Sequence, residues 1–134
     1  FTAIEQKKET LEHRDYVQEM QVETSKDGYQ FTFVIADIAG YEGENSINQT
    51  LYHVQAENLE MAAALYQREN ERQLDFGHMK QIAADMTGQE IHPLLLELGH
   101  RPGISKSIPV MMESDGAKYI LREMIKAAYG RESL

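Results

Sequence analysis

The feature that most constrains the fold is the alternation of apolar and polar side chains along most of YVQEMQVETSKDGYQFTFVIADI. Alternation with a period of two is the pattern of a strand that buries one face. Asp27-Gly28, between the two halves, is a dipeptide typical of tight turns, so the stretch predicts a β-hairpin. Its buried face is predicted to consist of Tyr16, Met20, Val22, Tyr29, Phe31, Phe33 and Ile35.

After the hairpin, the periodicity alternates between strand and helix. Residues 50–57 predict a third strand, and Asn58 is the predicted N-cap of a helix that runs as far as Gln73. The heptapeptide HMKQIAA then predicts a short buried strand. TGQEIHPLLLELG predicts a second helix, with Gly99 as the residue that follows its last turn.

The C-terminal third predicts one more strand and one more helix. ISKSIPVMM is predicted to lie near a sheet edge, because Pro109 cannot donate a ladder hydrogen bond. The last helix is predicted to have Ser114 as its cap and to stop at Gly130. Its apolar positions follow helical spacing: Ala117, Ile120, Leu121, Met124, Ile125 and Ala128.

Together these elements predict an α/β fold. The expected architecture is a mixed, partly parallel sheet flanked by helices, with an N-terminal β-hairpin followed by strand-helix-strand-helix-strand-helix. Residues 1–15 are predicted to form an N-terminal arm, and residues 16–130 a single α/β domain.

The charge balance argues against nucleic acid as a partner. The 134 residues include 22 acidic and 13 basic side chains, which gives a net charge of −9. Phosphate neutralisation requires clustered Lys and Arg. The chain has no cysteine, which excludes disulfides, thiol catalysis and thiolate metal sites.

The residues that could carry catalysis do not form a known motif. No two histidines have the i, i+4 spacing of a helix-borne HExxH-type metal site; the five are His13, His53, His78, His92 and His100. No serine lies in a G-x-S-x-G elbow, and no glycine-rich phosphate loop is present. We therefore expect no catalytic residue, no metal and no cofactor, and a protein that is not an enzyme.

The stretch RQLDFGHMKQIAADM admits two interpretations. As structure, Leu74 and Phe76 would seat the helix end in the core, and Gly77 would permit the turn into the next strand. His78 would then occupy the first position of that strand, where its ring can hydrogen-bond to loop backbone. As chemistry, His78 and Lys80 would point to the same side of the strand and could suit an anion. The periodicity favours the structural interpretation.

This stretch and its surroundings resemble the N-terminal domain of the Ger(x)C family, the C subunits of spore germinant receptors. In that family a segment of the form L-x-F/L-G-H-x-K leads out of the first long helix, as LDFGHMK does here. The opening hairpin and the HRP turn occur in the family's order, and the resemblance extends roughly from Asp15 to Arg122. It implies a structural signature consisting of Leu74, Phe76, Gly77, His78, Lys80, Arg101 and Pro102.

The resemblance also implies a function and a location. It implies a non-enzymatic, extracytoplasmic module of a spore germination receptor complex, acting by protein–protein interaction at the outer face of the membrane. The implied partners are membrane-embedded receptor subunits, and a small-molecule germinant is a further candidate ligand. Family members are lipoproteins, so an anchor upstream of Phe1 is implied. The candidate interaction loop contains Tyr41, Glu42, Glu44 and Asn45.

The alternative function is that of a small exported domain that captures a metabolite by itself. Such a domain needs a concave pocket with converging polar groups near the C-terminal ends of the parallel strands. Lys80, Asp85 and Ser114 lie near such ends in the predicted fold. Thermal stabilisation by amino acids and sugars would distinguish this function from that of a receptor module.

Overall fold

The computed structural model describes residues 14–37 and 48–133. The strands within these residues are β1 (Arg14–Ser25), β2 (Gly28–Asp37), β3 (Asn48–Ala56), β4 (Gln73–Asp75), β5 (Gln81–Asp85), β6 (Pro109–Met112) and β7 (Ala117–Ile120). The helices are α1 (Leu59–Asn70), α2 (Gly88–Gly99) and α3 (Leu121–Ser133). The remainder of the predicted arm, residues 1–13, lies outside the described residues.

The seven strands form one mixed sheet in the order β3-β2-β1-β5-β6-β7, with the short β4 also paired to β1. Strands β1, β5 and β6 run parallel, and β4 is parallel to β1. The hairpin β1–β2, its neighbour β3 and the hairpin β6–β7 add antiparallel pairs. The predicted fold class, a partly parallel α/β sheet with an N-terminal hairpin and three helices, is confirmed.

One face of the sheet carries the core, and side chains of all three helices pack on it. The sheet contributes buried residues such as Phe31, Phe33 and Ile82, and the helices contribute Leu59, Leu94 and Leu121, among others. Along β1 the next side chains on the opposite face, Glu19, Gln21 and Glu23, are exposed or half-buried. Within the described residues, the three helices therefore lie on one face of the sheet and form a second layer against it.

A β-bulge in β1 changes which residues reach the core. The pairing register with β2 shifts between Val17 and Glu19. As a result Val17 is fully buried beside Met20, whereas Tyr16 lies on the other face and is half-buried. The prediction that Tyr16 shares the face of Met20 was wrong, since an extra residue in one strand inverts the alternation beyond it.

Helix α1 begins where the sequence predicts and ends earlier. The Asn58 side chain accepts a hydrogen bond from the Met61 N–H at 2.8 Å, which is N-cap geometry. The helix ends at Asn70, because Glu71 adopts a left-handed conformation with φ 57° and donates its N–H to the Gln67 carbonyl. The prediction of helix as far as Gln73 was wrong, since Gln73 already belongs to β4.

Helix α2 is closed at its N-terminus by a capping box. The Thr87 hydroxyl accepts from the Glu90 N–H at 3.1 Å, and the Glu90 carboxylate accepts from the Thr87 N–H at 2.9 Å. Gly99 was predicted to follow the last turn, but it is the final helical residue and His100 is the C-cap. Gly99 is instead where α3 approaches: an added Cβ there would lie 3.0 Å from Tyr129 Cε2.

The C-terminal third differs most from the prediction. The segment predicted to open the last helix forms β7 instead, which pairs antiparallel with β6. The turn before it is closed by Asp115, whose carboxylate accepts the Ala117 N–H at 3.0 Å, and by Gly116 with φ 68°. Helix α3 therefore begins at Leu121 and continues past Gly130.

Of two further predictions about this third, one was wrong and one is confirmed. Ser114 does not cap α3; its hydroxyl donates to the Met86 carbonyl at 3.1 Å. Pro109 lies near a sheet edge as predicted, but not in the edge strand itself, since β7 pairs with the outer side of β6. It is tolerated because it is the first residue of its strand, and residues 104–108 are not part of that strand.

Candidate functional site

The segment FGHMK (residues 76–80), called here the excursion, is a loop that leaves the sheet between two stretches of chain paired with β1. Residues 73–75 pair with the start of β1, and residues 81–85 pair with β1 again after its bulge. The Lys80 N–H donates to the carbonyl of Gln18, at the bulge, over 2.7 Å. The excursion therefore lies beside the β-bulge of β1, and the hydrogen bond from Lys80 to Gln18 joins the two.

Two side chains of the excursion anchor it in the core. Phe76 and Met79 are both 5% exposed. The Phe76 ring meets Phe33 edge-on, with 5.7 Å between the ring centroids. The Arg101 guanidinium lies over the same ring, 5.2 Å from its centroid. The structure thus brings together Phe76 and Arg101, two predicted signature residues from separate loops.

The other side chains of the excursion face solvent. His78 and Lys80 are exposed, and the His78 ring lies 5.5 Å from the Tyr16 ring. The prediction that His78 opens a strand on which Lys80 points to the same side was wrong, because β5 begins only at Gln81. Gly77 donates its N–H to the Asp75 carboxylate at 2.7 Å.

Of the remaining signature residues, Leu74 packs against the core and Pro102 is exposed. Leu74 lies in β4 and is half-buried beside the apolar cluster. Pro102 follows Arg101 in the turn after α2, where it is exposed to solvent. The signature therefore divides into side chains that pack, namely Leu74, Phe76 and Arg101, and side chains that lie at the surface.

A polar network that the sequence did not reveal ties this region to β1. The Asp15 carboxylate accepts from Arg72 Nε at 2.6 Å and from the Tyr66 hydroxyl. Arg14 Nη1 donates to the Asp75 carboxylate at 3.1 Å. Because each pair joins residues more than 50 positions apart, no local sequence pattern could have indicated it.

Tyrosines of this region stay protonated well above neutral pH. Burial, followed by the hydrogen bond to Asp15, raises the pKa of Tyr66. Burial and the hydrogen bond to Glu69 raise the pKa of Tyr52 to about 12. Both hydroxyls therefore act as hydrogen-bond donors at physiological pH, which suits a structural role.

The second distinctive surface is the face of the sheet opposite the three helices of residues 14–37 and 48–133, called here the open face. Polar side chains from several strands line a shallow depression of about 230 Å³ on it: Gln21, Glu23, Gln30, Thr32, Asp85 and Glu113. Three of these six residues are acidic, and no basic residue lines the depression. The open face therefore presents negative charge on a rigid sheet.

An apolar cleft of about 380 Å³ lies on the opposite, helical side. It is formed mainly by α2 and α3, with Ile91, Leu95, Met124 and Ala128 among its walls and Tyr119 of β7 at one side. His92 and Glu123 are its ionisable side chains. The volume falls within the range of small-molecule sites, roughly 300–1,000 Å³.

The polar groups expected at the strand ends do not converge on this cleft. Lys80 precedes β5, and Asp85 lies on the open face. The Ser114 hydroxyl is engaged by the Met86 carbonyl. Asp85 and Ser114 lie near the C-terminal ends of β5 and β6 as predicted, whereas Lys80 lies at the opposite end of β5, where the prediction was wrong.

The described residues contain neither a metal-binding cluster nor a membrane-spanning helix. Over residues 14–37 and 48–133, no group of three or more His, Asp or Glu side chains could hold a metal ion. None of the helices in these ranges is long and apolar enough to cross a membrane. The candidate interaction loop, with Tyr41, Glu42, Glu44 and Asn45, lies outside the described residues.

Comparison with known proteins gave one match. Residues 7–127 match the family model described as the spore germination protein N-terminal domain. This confirms the resemblance to the N-terminal domain of germinant receptor C subunits. No curated protein and no solved structure matched the chain.

Proposed function

Since the chain belongs to the spore germination protein N-terminal domain family, we propose that it is a non-enzymatic module of a germination receptor complex. Family membership gives it a role in spore germination. The proposed site of action is outside the cytoplasm, at the outer face of the membrane, with attachment through an anchor upstream of Phe1. The proposed partners are membrane-embedded receptor subunits.

The observation that carries this proposal is the family match over residues 7–127, together with the way the structure uses the family signature. Phe76 packs in the core and Arg101 covers its ring. The His78 ring faces Tyr16. These contacts support a signature that maintains the fold and leaves recognition to other surfaces.

The open face is the surface that we assign to the receptor partner. It is broad and polar, and its depression is too shallow to enclose a ligand of ordinary size. Glu23, Asp85 and Glu113 give it negative charge, so a complementary partner surface would be basic. Such complementarity fixes orientation and accelerates association between proteins.

The test is copurification of the tagged chain, carried within its full receptor protein, with the membrane-embedded subunits of spores. Glu23→Lys reverses a charge on the open face, whereas Glu123→Lys makes the same change at the helical cleft. We expect Glu23→Lys to reduce recovery of the membrane subunits and the germination response. Equal recovery with both variants would refute the assignment of the open face.

The apolar cleft supports a second candidate function, capture of a small molecule by the domain itself. Its volume and its apolar walls are the observations in favour. The test is a thermal shift with amino acids and sugars at high concentration, on the wild-type chain and on Ala127→Phe, which would fill the cleft. A shift that Ala127→Phe abolishes would establish this second function; no shift in the wild-type chain would refute it.

A further inference from the structure

The outer edge of β3 has the properties of a docking strand. β3 is first in the sheet order, and no strand in the described parts of the chain pairs with its outer side. Every second residue of an edge strand directs its N–H and C=O away from the sheet. The nine residues NQTLYHVQA include no charged residue and no proline. β3 therefore lacks the usual features that prevent edge-to-edge pairing.

The opposite edge of the sheet is protected. β7 has only four residues and carries Lys118. Short edge strands and inserted lysines are common ways in which proteins block strand addition. The two edges therefore differ in their capacity to accept another strand, and β3 is the one that remains available.

Helix α1 extends this surface into the second layer. The Tyr52 hydroxyl of β3 donates to the Glu69 carboxylate of α1 at 2.6 Å. Met61, Leu65 and Glu69 follow each other at i, i+4 and i+8, so they share one side of the helix. That side consequently lies above the edge strand, with Met61 46% exposed.

Apolar side chains are exposed on both layers beside this edge. Leu51 of β3 is 56% exposed on the open face, and Met61 is exposed on the helix above. Exposed large apolar residues that flank an unpaired strand indicate a protein contact surface. An extended strand from a partner would cover Leu51, and a partner helix would be needed to cover Met61.

The charges on α1 are arranged so that the helix complements a second copy of itself. A shallow groove along its exposed side is lined by Asn58, Glu60, Met61, Ala64, Leu65 and Arg68. Glu60 and Arg68 lie four residues before and four residues after Ala64. Two such helices, packed antiparallel about a two-fold axis at Ala64, would place Glu60 of each opposite Arg68 of the other.

We propose that this surface binds a second copy of the chain. The β3 strands pair antiparallel across a two-fold axis and continue the sheet from one copy into the other. The α1 helices pack antiparallel above them, with Ala64 and Leu65 at the centre and Glu60–Arg68 ion pairs at both ends. This inference is independent of the proposed receptor role, because the open face remains accessible in the dimer.

The first experiment is sedimentation equilibrium of the 134-residue chain over a wide concentration range. We expect a reversible monomer–dimer equilibrium. Leu51→Lys places a charge on the edge strand and should raise the dissociation constant about tenfold or more. Ile120→Lys, the matched change of an exposed residue at the other edge, should leave it unchanged.

A charge-reversal series tests the arrangement of the helices. Glu60→Arg alone should weaken the dimer about tenfold or more, and so should Arg68→Glu, because like charges then face each other. The double variant should restore the wild-type dissociation constant. Melting temperatures of all three variants show whether each chain is folded. A double variant that dimerises no better than the single variants would overturn the antiparallel helix contact.

Cross-linking locates the two-fold axis. The chain has no cysteine, so Ala64→Cys introduces a single thiol. Two such thiols near the axis can meet the Cα separation of a disulfide, about 4.4–6.8 Å. Ala127→Cys, on α3, is the control. Rapid covalent dimer formation by Ala64→Cys alone would support the proposal; a monomer at every concentration, with equally slow cross-linking of both variants, would overturn it.

Discussion

The guanidinium of Arg101 lies over the ring of Phe76, 5.2 Å from its centroid. Arg101 follows α2 and Phe76 follows β4, so this contact joins two loops on either side of β5. Cation–π contacts contribute ~0.5–2 kcal/mol, depending on how far the pair is removed from water. The contact gives Arg101, a predicted signature residue, a place in the packing around Phe76.

Removing the guanidinium should therefore destabilise the fold. We expect Arg101→Ala to lower the free energy of unfolding by ~0.5–2 kcal/mol, and Phe76→Ala by ~3–5 kcal/mol because it also empties a core position. Urea unfolding measures both losses. In a double-mutant cycle with Phe76→Leu, which keeps an apolar side chain and removes the ring, a coupling energy of zero would contradict the contact.

Replacement of His78 should have a much smaller effect than replacement of Phe76. His78 is exposed and its ring contacts Tyr16, whereas Phe76 is buried. We expect His78→Ala to cost about 0.5 kcal/mol of unfolding free energy, at the lower end of aromatic pair energies. Urea unfolding of His78→Ala and Tyr16→Ala, singly and together, measures the pair. A loss as large as that of Phe76→Ala would show that His78 has a role which these contacts do not explain.

Glu97 of α2 caps the N-terminus of α1 from another element. Its two carboxylate oxygens accept the N–H groups of Leu59 and Glu60, each at 2.8 Å. We expect Glu97→Ala to lower the free energy of unfolding by ~1–2 kcal/mol, as for other lost caps. Glu97→Gln should lose less, because it keeps one acceptor oxygen. Glu123→Ala is the control, since surface changes usually stay within ~0.5 kcal/mol.

Gly99 should not tolerate alanine, although alanine favours helix. An added methyl group would lie 3.0 Å from Tyr129 Cε2 and 3.2 Å from Ile125 Cγ2. Overpacking typically costs ~1–3 kcal/mol, which exceeds the gain in helix propensity of ~1 kcal/mol. We expect Gly99→Ala to lower the melting temperature and Gly88→Ala, where no atom lies within 4 Å, not to lower it. A rise in melting temperature for Gly99→Ala would show that α3 shifts to accommodate the added methyl group at little cost in stability.

Stability should fall in the alkaline range because of Tyr52. Burial and the Glu69 carboxylate raise its pKa from 10.0 to about 12, so the folded chain holds this proton more tightly than the unfolded chain. The associated stability is complete below pH 10 and is lost as pH rises towards 12. As pH rises from 10 towards 12, the urea concentration at the unfolding midpoint should fall less steeply in Tyr52→Phe than in the wild-type chain. Parallel pH profiles would contradict the prediction.

Local sequence was sufficient to predict a helix or strand wherever contacts between residues close in the chain define that element. The hairpin β1–β2 forms as the alternation predicts, although its two turn residues are Lys26 and Asp27, and Gly28 already pairs with Ser25 in β2. Asn58 begins α1 as predicted, because an N-cap is a contact with a residue three positions away. The sequence predicted Phe76 and Arg101 as signature residues, but only the structure shows that Arg101 covers the Phe76 ring.

Where a segment fits both a helical and a strand pattern, tertiary structure decided which of the two it forms. Ala117, Ile120 and Leu121 fit a helical stripe, yet the first two belong to β7, because pairing with β6 satisfies their backbone groups. The bulge in β1 and the excursion of residues 76–80 depend on each other, since the Lys80 N–H bonds to the Gln18 carbonyl across strands far apart in sequence.

The sequence by itself thus determined the α/β class, the hairpin, the first two helix starts and the family. It could do so because alternation, turn dipeptides and caps act within a few residues. Only the tertiary structure decided which face of the sheet the described helices pack on, where α3 begins and which of the described strands lie at the sheet edges. Those features depend on hydrogen bonds and packing between distant residues, which no local pattern encodes.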